Sequence, residues 1–288
     1  MTMTDQTPAT PTQTPPAAPS HTLRTVLLVV GSIVLAIVLL ATVLRVVGSL
    51  NREDTSGTYT VASSFDSIEL RATAADVEIQ FGSVSRAELR FDQGDTNLRL
   101  DQDVSGDELR ITVKRPGWGW WGWDFGGPFG DWGVRDGARL TVVLPQSMEQ
   151  DDLDLDLEST AGNLTVSGEF GDVQLESTAG DVRLAGAADD LEVNTTAGNI
   201  RLSDFDVRGV FRSDSTAGDS RFEFRTLPRS IDVETTAGDV RVSLPSGSYR
   251  IETETTAGQV QQNVSSDAGS DRVYRFTTTA GNIELNDR

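Results

Sequence analysis

The sequence predicts an all-β fold, a single-stack β-solenoid of ~20-residue coils with an irregular N-terminal β cap, preceded by one transmembrane helix. Three observations predict it. Ser/Thr-Thr-Ala-Gly followed by Asn, Asp or Gln recurs seven times, with its glycines at Gly162, Gly180, Gly198, Gly218, Gly238, Gly258 and Gly281. The spacings are 18, 18, 20, 20, 20 and 23 residues, and self-similarity at such a period marks coils stacked on one another. Around each copy, apolar and polar residues alternate with the period of a strand. Ahead of the repeats lies an uncharged apolar run of bilayer length.

Residues 1–24 are rich in Thr, Pro and Ala; Pro8, Pro11, Pro15, Pro16 and Pro19 exclude a helix, and the stretch reads as a disordered tail. Thr25 to Leu44 contains no charge, and its twenty residues match the ~20 needed for a membrane-crossing helix; the span is placed at 25–47. A cleaved signal peptide is the rival reading, but its apolar core is normally ~7–15 residues long with a small-x-small site behind it. Here the core is longer and no such site follows, so an uncleaved anchor is expected. Arg24 precedes the span and Arg45 and Arg52 follow it, which leaves charge silent on orientation. The N-terminal position of the span favours a signal anchor, with the C-terminal domain outside the cytoplasm. Residues 48–57 form a polar linker.

The first β section, 58–150, opens on strict alternation through Ile68, Leu70, Ala72 and Ala74, then Val77 and Ile79. Thr73-Ala74-Ala75 aligns with Thr-Ala-Gly, so a divergent eighth coil is expected here. Further strands are predicted around 87–91, 97–100, 108–113 and 139–144, with Gly94 and Gly106 in the turns. Residues 116–133 hold all five tryptophans, Trp118, Trp120, Trp121, Trp123 and Trp132, among glycines. This insertion reads as a loop with two outcomes, a hydrophobic plug on the solenoid end or an exposed aromatic patch that binds a partner.

In the repeat section, 151–288, the residues six, four and two before each corner Ala, and three and five after it, point inward. Leu155, Leu157, Ser159, Leu164 and Val166 make the first such set, and Tyr274, Phe276, Thr278, Ile283 and Leu285 the last. Each coil supplies two short strands; one coil alone cannot bury its apolar side, whereas stacked coils form a continuous narrow core. The corner Gly answers either a backbone conformation or a close approach that a Cβ forbids, and the Asn or Asp behind it can bond local backbone and its copies in adjacent coils. The coil containing Ser213 and Ser220 reads as one with a weakened core. No capping element follows Ile283–Leu285, so that end reads as an open edge.

Outward positions form columns: a Thr ladder, a mostly acidic stripe (Glu158, Glu176, Asn194, Asp214, Glu234) and an Arg stripe (Arg183, Arg201, Arg221, Arg241). Mutual charge compensation on a solvated face is the plain reading. The sharper ones are a Ca²⁺ site along the acids or an anion or glycan groove along the arginines. No Ca²⁺-loop pattern is present. The tryptophans and the four arginines are the candidate partner-binding residues.

The pattern resembles the bacterial putative-adhesin β-strand-repeat family, domain of unknown function 4097. Phe65-x-x-Ile68-x-Leu70, Ala75-Asp76-Val77-x-Ile79, the stretch from Leu140 to Pro145 and the Thr-Ala-Gly units carry the resemblance. It implies a β-solenoid, exported or membrane-anchored, with no established catalytic residues; the Trp-rich insertion is outside its pattern.

Composition narrows the chemistry. The net charge is −20, which repels nucleic acid. There is no cysteine, and the one histidine, His21, lies in the tail. The β domain therefore lacks Ser–His–Asp or Cys–His catalysis and any zinc site built on His or Cys. No phosphate-binding glycine loop is present. No catalytic, metal-binding or cofactor-binding residue is assigned. The expectation is a non-enzymatic adhesion or interaction module of the bacterial cell envelope whose partners are the membrane and a glycan or envelope protein. The alternatives are a polysaccharide-acting surface enzyme using paired carboxylates, and a structural spacer or stress-sensing scaffold.

Overall fold

The computed structural model describes residues 56–115, 137–150 and 152–288. The predicted span at 25–47 and the Trp-rich insertion lie outside the described residues. Among those described, no helix is long and apolar enough to cross a membrane.

Period-two sequence becomes strand throughout. The N-terminal section gives β1 (Gly57–Thr60), β2 (Ser67–Ala72), β3 (Ala75–Gly82), β4 (Glu88–Asp92), β5 (Arg99–Ser105), β6 (Glu108–Lys114) and β7 (Ala138–Pro145), followed by a short 3₁₀ helix, Gln146–Gln150. The repeats give paired strands: β8 (Asp154–Ser159) with β9 (Leu164–Glu169), β10 (Val173–Ala179) with β11 (Val182–Ala188), β12 (Leu191–Ala197) with β13 (Ile200–Val207), and β14 (Val210–Ala217) with β15 (Ser220–Phe224). Then come β16 (Ser230–Ala237) with β17 (Val240–Leu244), β18 (Arg250–Ala257) with β19 (Val260–Gln262), and β20 (Val273–Ala280) with β21 (Ile283–Asp287). The first strand of every repeat joins a ten-stranded sheet and the second an eleven-stranded sheet. Like positions stand in register, for example Leu155, Val173 and Leu191 on β8, β10 and β12.

Apart from Ala74 and the Gly258 coil, the apolar residues read as inward form one buried core between the sheets. The divergent coil is present: β2 pairs with β8 and β3 with β9. Outside it, β6 and β7 make a further coil, and β1, β4 and β5 close that end by antiparallel pairing. Residues 58–150 and 151–288 therefore share the same two sheets.

Both reasons for the corner glycine apply. Gly180 has φ +126°, and a Cβ on it would lie 2.1 Å from the carbonyl oxygen of Gly162 in the coil beside it. Gly198 has the same relation to Gly180, at 2.0 Å. The lengthening from 18 to 20 residues is absorbed in two places. Ala185 and Ala187 face Ser203 and Asp206, which adds one residue to β13. Ala188 and Leu191 face Val207 and Phe211, which adds another in the turn.

Two expectations change. The Ser213 coil is not weakened: Phe211 lies 4.9 Å from Phe222 and 5.3 Å from Phe224, ring centre to ring centre, and all three rings are fully buried. The small serines leave room for these rings, so the core volume is conserved. Stacking also departs from chain order at the far end. β20 and β21 lie between the β16–β17 coil and the β18–β19 coil, so the last repeat in sequence is not last in the stack. Side-chain chemistry explains the exchange. Tyr274, Phe276, Ile283 and Leu285 are buried in the inner position. The outermost coil instead points Thr253, Thr255 and Gln262 inward, polar groups that tolerate water, and Val260 there is 41% exposed. A polar outer coil is the cap that repeat stacks need.

Candidate functional site: the outer ladders

Because the coils are in register, every outward residue type becomes a line running across the strands. The corner Asn/Asp residues form a hydrogen-bonded ladder. The Asp76 carboxylate accepts the Asn163 N–H at 2.8 Å, Asn163 Oδ1 accepts the Asp181 N–H at 3.1 Å, and Asp181 accepts the Asn199 N–H at 3.1 Å. It continues through Asp219 and Asp239 to Asn282 and then back in sequence to Gln259, following the stacking order. The Asn282 N–H holds the Asp239 carboxyl below its usual range against the opposing effect of burial, with help from Arg241. At Asp181 burial pushes upward, and the Asn199 donors with Arg183 outweigh it. A second ladder, which the sequence reading missed, runs along the opposite turns: Asp154 accepts the Asp172 N–H at 2.8 Å and Asp172 the Asp190 N–H at 3.2 Å. Its signal was the Asp recurring at 18-residue spacing before Leu155, Val173 and Leu191.

The acidic stripe and the Arg stripe lie on different sheets, so they do not compensate each other. Glu158, Glu176, Asn194, Asp214 and Glu234 stand side by side on the ten-stranded sheet. With the threonines of the neighbouring column they line a shallow groove of ≈ 500 Å³. Burial pushes the Asp214 carboxyl up, reinforced by Asp232 and Glu192 and opposed by Arg212. Among the described residues, no three acidic groups converge as a cation site would require.

Arg183, Arg201, Arg221 and Arg241 stand side by side on β11, β13, β15 and β17 of the eleven-stranded sheet. Three are held by acids of their own coil: Arg183 by Asp181 at 2.7 Å, Arg221 by Glu223 at 2.8 Å and Arg241 by Asp239 at 2.8 Å. Compensation is therefore mainly local to each coil, although Arg241 also lies 3.4 Å from Glu284 of the neighbouring coil. Arg201 has Asn199 and Ser203 at the equivalent positions, and among the described residues it has no ion-pair partner within 4.0 Å. Adjacent strands are ~4.8 Å apart. At that separation two like charges repel by roughly 0.9 kcal/mol in water. The five tryptophans, the other candidate residues, lie outside the described residues.

The model of the family described as Toastrack DUF4097 matches residues 65–221. The chain belongs to the Toastrack family. The matched segment runs from β2 to the start of β15, and it includes Phe65, Ile68, Leu70, Val77 and Ile79, all buried in the first coils. Solved structures similar to this Toastrack chain include one described as a putative adhesin from Bacteroides fragilis. It has 13% identity and a TM-score of 0.45, over 82% of this chain and 98% of that one. Another, described as a putative cell adhesion protein from Clostridium sporogenes, has 12% identity and a TM-score of 0.38 over 82% and 100%. A third, described as a putative lipid binding protein from Parabacteroides distasonis, has 17% identity and a TM-score of 0.32 over 84% and 98%. At these scores the likenesses carry no further conclusion. No curated protein matches the chain.

Proposed function

We propose that this protein is a non-enzymatic adhesion or interaction module of the bacterial cell envelope, anchored by the 25–47 span with its β domain outside the cytoplasm. The observation that carries the reading is the regularity of the outer faces. Charged and hydroxyl side chains repeat coil after coil in register, an arrangement suited to an extended partner. A catalytic site breaks such a repeat in one place. The apolar run 25–44 supports the anchor.

One observation favours the enzyme alternative. Asp214 has a raised proton affinity and lies beside Glu234 in a groove, as a proton-donating carboxyl would. The experiment incubates the detergent-solubilised full chain with purified envelope fragments and with a panel of polysaccharides. Co-sedimentation without release of soluble sugar supports the module. Sugar release that disappears in Asp214→Asn overturns it. Protease treatment of intact cells tests the anchor, and protection of the β domain would refute the orientation.

A further inference from the structure

We infer that the Gly258 coil is a hinged cap: β18 and β19 lift off the end of the stack together, turning about a tied neck, while the other coils stay in place. Its opening does not depend on what the outer faces bind.

The coil is held on one side only. β18 pairs with β20 and β19 with β21, and both stand at the end of their sheets. Its path is a U. β18 runs from the neck to the corner at Gly258, and β19 runs back on the other sheet. Apolar burial is confined to the neck. Tyr249, just before β18, is 1% exposed, and its ring stacks on that of Tyr274 with centres 5.1 Å apart. Val264, just after β19, is also buried. Between them the inward set is Ile251, Thr253, Thr255, Val260 and Gln262, and none of these is buried. The equivalent set of the coil beneath, Tyr274, Phe276, Thr278, Ile283 and Leu285, is buried throughout. The hydrophobic contribution that fixes the other coils is therefore missing from the arms of this one.

The two sides of the neck are tied to each other. The Asp267 N–H donates to Tyr249 O at 2.8 Å, and the Ile251 N–H donates to Ser266 Oγ at 2.9 Å. The Ser248 hydroxyl donates to the Asp267 carboxylate at 2.7 Å, and the Ser270 hydroxyl to Ser248 O at 3.0 Å. These bonds join the residues before β18 to those after β19, so they survive when the arms lift. The arms are held by backbone pairing and by polar contacts at the surface. Arg275 meets Glu252 at 3.1 Å, the Thr255 hydroxyl donates to Gly281 O at 3.2 Å, and the Gln259 N–H donates to Asn282 Oδ1 at 3.0 Å. Exposed ion pairs of this kind add little.

Lifting the arms changes the character of the tip. Closed, it presents threonines, glutamates and Gln262. Open, it presents the unpaired backbone edges of β20 and β21, with Phe276, Ile283 and Leu285 beneath them. The device is a polar lid over an apolar end, opening from the corner.

Hydrogen exchange of the full chain in detergent micelles, read amide by amide by mass spectrometry, tests the cap. At its free end, the Gly281 N–H bonds Ala257 O at 3.0 Å and the Ile283 N–H bonds Gln259 O at 2.9 Å. One interface deeper, the Gly238 N–H bonds Ala280 O at 3.0 Å and the Val240 N–H bonds Asn282 O at 2.8 Å. Corrected for intrinsic rates, Gly281 and Ile283 should exchange about 100-fold or more faster than Gly238 and Val240. In the neck, Arg250, bonded to Arg272 O, and Asp267 should exchange more slowly than Gly281. Equal protection at the two interfaces would overturn the cap. Exchange of Arg250 and Asp267 as fast as Gly281 would overturn the hinge. Gly258→Ala presses a Cβ against the Gly281 carbonyl. It should speed exchange at Gly281 and Ile283 further and leave the melting temperature of the domain nearly unchanged. A fall as large as that of Gly180→Ala, inside the stack, would show the coil to be inseparable from it and sink the proposal. Glu254→Cys with Thr277→Cys joins outward register partners. Once oxidised, this pair should slow Gly281 and Ile283 to the rate of Gly238; fast exchange persisting in the cross-linked protein would count against opening at this interface and refute the cap.

Discussion

Replacing Gly180 by Ala tests the stacking of the coils most directly. The added Cβ would lie 2.1 Å from the Gly162 carbonyl oxygen and 2.7 Å from its carbon, where ordinary contact begins near 3.4 Å. Two backbones meet here, so no side chain can swing away. The coil must lift by more than 1 Å, which loosens the Gly162 N–H bond to Ala179 O at 3.1 Å and the Asp181 N–H bond to Asn163 at 3.1 Å. The φ of +126° adds strain for any residue with a Cβ. Backbone strain of ~1–3 kcal/mol and overpacking of ~1–3 kcal/mol give a total of roughly 2–6 kcal/mol. That is a large part of the ~5–15 kcal/mol typical of a domain. Gly106→Ala is the control: its φ is +65° with nothing within 4 Å of a new Cβ, so only ~1–2 kcal/mol is at stake. Urea unfolding of the full chain in detergent, followed by far-UV circular dichroism, reads both. A loss for Gly180→Ala no larger than for Gly106→Ala would refute the close-packing account of the corner.

The out-of-order stack predicts a disulfide pattern in this cysteine-free chain: Arg241→Cys with Glu284→Cys, which are register partners, should cross-link on mild oxidation. Arg241→Cys with Gln261→Cys, one strand further away, should not, and the reverse result on a non-reducing gel would refute the order. Ser213→Ala should leave stability unchanged or raise it by up to ~1 kcal/mol, because its buried Oγ has no hydrogen-bond partner; a clear loss in urea unfolding would contradict this. Tyr274→Phe should cost ~1 kcal/mol by removing the 2.8 Å bond from its hydroxyl to Pro228 O. Burial raises the Tyr274 hydroxyl pKa above the usual 10.0. Its contribution is therefore complete below the unfolded value near 10 and is lost as pH rises toward the folded one, so alkaline unfolding should be blunted in Tyr274→Phe. Asp239, whose pKa is lowered, acts in the opposite direction: its contribution is present above the usual carboxylate range and fades as pH falls through the folded value. Asp239→Asn should flatten the acid limb of a melting-temperature profile.

Much of the architecture was legible because periodicity is a local signal. Alternation through Ile68, Leu70, Val77 and Ile79 specified strands, and Thr73-Ala74-Ala75 revealed a coil that lacks its glycine. Ala75 is buried there with room for its methyl group. Exchange of the last two coils was legible only in part. The inward set Thr253, Thr255 and Gln262 is visibly more polar than Tyr274, Phe276 and Leu285, but chain order suggested the opposite placement, and burial decided the matter. The Ser213 coil misled because its serines were judged without Phe224, two residues beyond the repeat pattern, whose ring shares the space. The columns of the candidate site were visible as spacings. Their assignment to opposite sheets depends on the corner lying between the acidic position and the arginine, so the two stripes do not compensate each other and three of the arginines pair instead with acids near them on their own side.

The exchanged coils also bear on how the molecule is assembled. A stack that follows chain order can grow one coil at a time as the polypeptide emerges, each new coil settling on a finished surface. Here the Gly258 coil emerges before the coil on which it finally rests. Until residues 273–287 arrive, the Gly258 coil must either wait unstacked or occupy the β16–β17 surface provisionally and then yield it. Its polar inward threonines make that provisional seat a poor one, which keeps the place free for the aromatic coil. The same polarity that blunts the edge of the finished protein thus also disfavours the stack that chain order alone would build.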